Sequence, residues 1–271
     1  MILNVFEMFA YSFILRALAV GIPISICAAL LGVSMVLKKN SMIGDGLSHV
    51  GFGAAAIAAA LNFAPLVVAM PVVVVAAILI LKLTEKSKIH GDSAIAIIAA
   101  SSLAIGYVVI HKNGANKELE NYLYGSILGI TNLELIIAIT IGVIVIATFI
   151  LLYNKVFALT FDETFFKSTG AKTNIYSTLI AILCAATVVV GMKLMGALLI
   201  SSLIIFPTIS ARQIFKRYKS VIISSVIISV VCFLIGIVIN FYVDAPVGST
   251  IVLINLGVLI LFIIVGKILK R

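Results

Sequence analysis

Two ionisable side chains four residues apart are the first candidates for chemistry. The stretch Ser41-Met-Ile-Gly-Asp45-Gly-Leu-Ser-His49-Val-Gly-Phe-Gly-Ala-Ala-Ala is apolar or small apart from this carboxylate and imidazole and two serines. Inside a membrane such groups cost several kcal/mol each unless paired or solvated. On a helix, residues i and i+4 stack on one face, with Cβ atoms about 5–6 Å apart. A carboxylate oxygen beside an imidazole nitrogen suits a borderline divalent cation such as zinc or manganese. Gly44, Gly46, Gly51, Gly53 and Ala54 to Ala56 leave such a helix slim enough for close approach by a neighbour. Spacing alone leaves a second reading open, in which Asp45 caps the helix start and His49 packs against it.

A second candidate is the segment of about 157–172, Phe-Ala-Leu-Thr-Phe161-Asp162-Glu163-Thr-Phe165-Phe166-Lys-Ser-Thr-Gly170-Ala-Lys. Thr160 or Asp162 can N-cap a short helix there, acids fall in its first turn, and Gly170 stops it. That helix would display Phe161, Phe165 and Phe166 roughly along one side. It is either an amphipathic helix on the membrane surface or a docking knob for a cytoplasmic partner. Other positions carry weaker signals. Asp92, in His90-Gly-Asp92-Ser93, reads as an N-cap, and His111 reads as a solvated loop residue. Gly196, Ser201, Ser202, Pro207, Thr208 and Ser210 describe a small, polar, bent helix that reads more as a packing face than as a pathway. An intramembrane aspartyl protease needs two carboxylates sharing a proton, and Asp244 is the sole partner on offer for Asp45. No GxxxxGK[ST] phosphate loop occurs. The chain is therefore expected not to be an enzyme, and any ATP hydrolysis must come from another chain.

The elements that must position these residues follow from composition. Of 271 residues, 63% are apolar and 11% charged, against about 45–50% and about 25% in ordinary globular chains. A water-facing surface cannot be covered from so few charges. A membrane helix takes about 20 mostly apolar residues, and the apolar runs are 12–37, 44–61, 64–81, 93–110, 131–152, 174–192, 194–211, 221–241 and 249–266. The expected fold is an all-α polytopic membrane bundle of eight or nine helices, a single transmembrane domain over 1–271. Gly21-Ile-Pro23 can bend or break the first run. Net charge is +9, but the basic residues are dispersed between apolar runs rather than gathered into stripes, which argues against nucleic acid. Placing Lys38 and Lys39 inside leaves Lys112, Lys117 and Lys193 outside, with Arg16 within the first run. That bias puts the C-terminus in the cytoplasm. The first basic residue is Arg16, so no cleaved signal peptide is expected. Cys27, Cys184 and Cys232 each lie inside an apolar run and read as packing residues.

With these residues in view, the chain resembles the ABC-3 permeases, the membrane subunits of binding-protein-dependent zinc and manganese importers. Three stretches carry the resemblance: Leu31 through Lys38-Lys39 to Asp45 and His49; Phe161-Asp162-Glu163 through Gly170; and Met192-Lys193-Leu-Met-Gly196-Ala-Leu-Leu through Pro207 to Ala211-Arg212. Tyr122-Leu-Tyr124-Gly125 and Asp244-Ala-Pro246-Val-Gly248 fall in matching order. The resemblance implies a homodimeric permease in the bacterial plasma membrane, with two cytoplasmic ATPase subunits and an extracytoplasmic metal-binding protein. It implies no permanently bound cofactor, zinc or manganese being the transported substrate. It makes Asp45 and His49 the metal-pathway pair, and the segment from Phe161, Asp162 and Glu163 through Phe165 and Phe166 to Gly170 the ATPase-coupling segment. The sequence around Lys193 leans toward the zinc branch. The competing expectation is a stand-alone secondary metal transporter or channel, which would need further intramembrane ionisable residues to couple an ion gradient.

Overall fold

The computed structural model describes residues 11–86, 91–113, 125, 130–243 and 245–269. The expectations for His90, Tyr122 to Tyr124 and Asp244 lie outside these residues. Eleven helices and no strand occur among the described residues: α1 (Ser12–Leu37), α2 (Ile43–Ala60), α3 (Pro65–Lys86), α4 (Gly91–Asn113), α5 (Asn132–Leu151), α6 (Tyr153–Phe161), α7 (Glu163–Ser168), α8 (Thr173–Met195), α9 (Ala197–Ile214), α10 (Tyr218–Val243) and α11 (Val247–Ile268). The nine apolar runs become the nine long helices, as they must. Without water to satisfy a backbone amide, only an internally hydrogen-bonded helix or a closed barrel survives in lipid.

Eight of the nine are long and apolar enough to cross a membrane. The ninth long helix is α2, whose 18 residues span about 27 Å but whose hydropathy is diluted by Asp45, His49 and four glycines. The first helix is not broken at Gly21-Ile-Pro23. It runs through Pro23 for 26 residues, about 39 Å, more than the roughly 30 Å hydrocarbon layer, so it must tilt or project. Both special residues serve packing. The Phe233 ring lies where a Cβ on Gly21 would stand, and Pro23 meets the bare face of Gly142 on α5.

Helices α1, α8 and α9 form the middle of the bundle. Within their most apolar windows 72%, 67% and 61% of residues are buried, against 17% in α4 and α11. The outer helices turn Val67, Val75, Ile136, Leu253 and Ile264 outward, as a lipid-facing surface requires. The turns are specified locally. Lys39 (φ 61°) closes the end of α1, and the Asn40 amide donates back to the Met35 carbonyl at 2.9 Å. Pro65 opens α3 at a position where its missing N–H costs nothing. A capping box on Thr131 and Glu134 starts α5. Gly196 alone joins α8 to α9 at φ 91°, a conformation that a side chain would strain. Cys27, Cys184 and Cys232 are free and buried, in keeping with packing roles.

Candidate metal pathway and coupling segment

The glycines of α2 do what their spacing suggests. A Cβ on Gly46 or Gly53 would strike Ile95 or the Ser102 carbonyl of α4, one on Gly44 would strike Ile204 of α9, and one on Gly51 would strike Met192 of α8. These contacts set the depth of the helix. Ile204 is eight residues into the 18-residue α9, so α2 begins level with the middle of that helix.

Asp45 occupies the third position of α2, after Met42 as N-cap, where the helix macrodipole favours an anion. Its carboxylate does not cap. One oxygen, Oδ1, accepts from the Ser201 hydroxyl of α9 at 3.2 Å. The other, Oδ2, lies 3.5 Å from His49 Nε2. That second separation is at the outer limit for a hydrogen bond, so the two side chains are apposed without being locked together. His49 Nδ1 is buried without a hydrogen-bond partner among the described residues. The Ser48 hydroxyl donates to the Asp45 carbonyl at 2.7 Å and so fixes the turn that carries the carboxylate.

The pair remains open on one side, with 39% of the Asp45 side chain and 29% of the His49 side chain accessible. Met42, three residues before Asp45, and Leu198, three residues before Ser201, are exposed as well. No cluster of three or more His, Cys, Asp or Glu side chains occurs among the described residues. One chain therefore offers a carboxylate and an imidazole, two donors facing outward from α2.

The segment after α5 folds as a short helix, α6, then a second, α7. Asp162 is the N-cap of α7, its Oδ1 accepting from the Phe165 amide at 2.8 Å. Thr160 instead donates to the Val156 carbonyl of its own helix. Gly170 follows at φ 80° with open space around it, so it ends the helix through backbone freedom alone. Phe161 and Phe165 are exposed, but the expected display of three phenylalanines is corrected: Phe166 is 8% exposed and packs on Tyr176 of α8, ring centroids 5.5 Å apart. Consecutive helical residues point about 100° apart, and Phe166 is the one that turns toward α8 while Phe165 stays in the open. Glu163 reaches Lys38 at 3.0 Å. Two stretches distant in sequence, the coupling segment and the loop leading into α2, are thereby tied together.

Three contacts escaped the sequence reading. Ser201 carried a faint signal, as one of several hydroxyls on a small, bent helix. Glu134 ion-pairs with Lys193 across α5 and α8. The Thr131-x-x-Glu134 spacing announces the cap, though not this partner. The Lys38–Glu163 pair had no local signature.

The sequence profile described as the ABC 3 transport family matches residues 10–266. The manganese import system permease protein ScaB of Streptococcus gordonii is 28% identical over 90% of this chain and 87% of its own length. The high-affinity zinc uptake system membrane protein ZnuB of Haemophilus influenzae is 29% identical over 90% of this chain and 94% of its own. Among solved structures, PsaBC from Streptococcus pneumoniae in complex with Fab superposes with a TM-score of 0.86 at 26% identity, covering 97% of this chain and 95% of that one.

Proposed function

The chain belongs to the ABC 3 transport family, and from that premise we propose that it is the membrane permease subunit of an ATP-binding-cassette importer carrying zinc or manganese into the cytoplasm. The observation that carries the reading is the Asp45/His49 pair, held loosely at 3.5 Å on a helix that starts level with the middle of α9. A transported ion must be bound well enough to enter and weakly enough to leave. Two donors are half the tetrahedral set that zinc takes. Two copies of the chain, meeting across the exposed face of Met42 and Leu198, would bring two carboxylates and two imidazoles to one pathway.

An extracytoplasmic binding protein delivers the ion, and cytoplasmic ATPase subunits drive its release. The C-terminus faces the cytoplasm in this arrangement. Phe161 and Phe165 form the apolar contact for the ATPase. Phe166 anchors the segment to α8, Asp162 caps it, Glu163 ties it to Lys38, and Gly170 ends it. The test is radiolabelled zinc and manganese uptake in cells carrying His49→Ala or Asp45→Asn at matched membrane abundance. Loss of uptake is expected for both. Undiminished uptake of both metals by His49→Ala would return the pair to a packing role.

A further inference from the structure

We propose that Ser201 is a specificity-determining residue of this pathway, its hydroxyl oxygen joining Asp45 and His49 on the cation and favouring six-coordinate manganese over four-coordinate zinc; the proposal rests on the metal-permease reading above. Ser201 Oγ lies 3.2 Å from Asp45 Oδ1 and 3.1 Å from the Ala197 carbonyl one turn back in α9. Both neighbours are acceptors, whereas a hydroxyl has one hydrogen and two lone pairs. It can donate to one of them at a time. With the hydrogen on Asp45, Ser201 steadies an empty, charged carboxylate. A cation arriving on Oδ1 displaces that hydrogen, which rotates onto the Ala197 carbonyl. The oxygen lone pairs then turn toward the Asp45 side, and the hydrogen keeps a partner throughout.

The same rotation makes Ser201 a neutral oxygen donor. One chain then supplies a carboxylate oxygen, an imidazole nitrogen and a hydroxyl oxygen, and two chains supply six donors of which four are oxygen. Manganese favours six largely oxygen ligands. Zinc is satisfied by four, with nitrogen or sulfur preferred, so the hydroxyl adds little for it. Because Ser201 sits on α9 while Asp45 and His49 sit on α2, the third donor is present only when the two helices hold their present separation.

The experiment is competitive uptake of radiolabelled manganese and zinc by the full complex in membranes, with wild type, Ser201→Ala, Ser201→Thr and Ser201→Cys at matched abundance. Ser201→Ala is expected to raise the manganese KM by about tenfold or more while moving zinc by less than about threefold, within the range seen when a group beside a metal ligand is removed. Ser201→Thr, which keeps the hydroxyl, should retain the wild-type ratio, and Ser201→Cys should shift it toward zinc. Equal losses for both metals in Ser201→Ala would overturn the specificity role yet leave the pathway intact if His49→Ala still abolishes uptake. Wild-type uptake of zinc without manganese would also overturn it. Survival of uptake in His49→Ala would remove the pathway reading itself.

Discussion

Gly32→Ala should part α1 from α9 close to Ser201 without touching Ser201 or Asp45. Gly32 lies on the face of α1 against α9, and a Cβ built there would stand 2.1 Å from the Ile204 carbonyl oxygen and 2.9 Å from its carbon. Ordinary contact begins near 3.4 Å, a shortfall of about 1.3 Å. The obstacle is backbone, so no rotamer change relieves it, and the two helices must part. Ile204 is three residues beyond Ser201, less than one turn. A shift of that size displaces α9 next to the 3.2 Å Ser201–Asp45 contact. Overpacking of this kind costs about 1–3 kcal/mol, and the loss of α1–α9 van der Waals contact belongs to the same term, since packing is what holds helices together in lipid. Gly257→Ala on α11 is the control, because nothing lies within 4 Å of its Cβ. The assay is thermal unfolding of purified protein in detergent, paired with metal uptake in cells. The Gly32→Ala variant should unfold earlier and transport poorly, and the Gly257→Ala variant should match wild type. Equal stability of the two variants would refute the close approach of α1 to α9 and the geometry built on it.

Three further outcomes are expected. Phe165→Asp should leave the permease folded, since an exposed position costs about 0.5 kcal/mol or less, while abolishing co-purification with the ATPase; Phe166→Asp should instead lower thermal stability, because it buries a charge against Tyr176. Lys38→Glu or Glu163→Lys should uncouple ATP hydrolysis from uptake while costing stability about 1 kcal/mol at most; the double exchange should restore coupling, and failure of rescue with both chains assembled would show that the pair carries no signal. Uptake should weaken as the medium is acidified and the His49 imidazole takes up a proton, because protonated imidazole cannot bind a cation; acid-insensitive uptake in proteoliposomes would exclude His49 as a ligand.

The long helices were legible because each is dictated within its own span. An apolar run in lipid has no other way to satisfy its amides, but the break at Gly196 was not read, since the run of 194–211 crosses it. The Asp45/His49 pair was legible for the same reason, four residues being one turn. The inward turn of Phe166 was not legible, because it depends on the seat that Tyr176 of α8 offers. The partner of Asp45 comes from 156 residues away, and Lys38 meets Glu163 across a comparable distance. No periodicity encodes such meetings. They follow from how closely α1, α2, α8 and α9 approach, which bare glycine faces permit and only the packed bundle decides. Packing likewise put the start of α2 level with the middle of α9, so that an i, i+4 pair written in the sequence stands beside Ser201, open on one side.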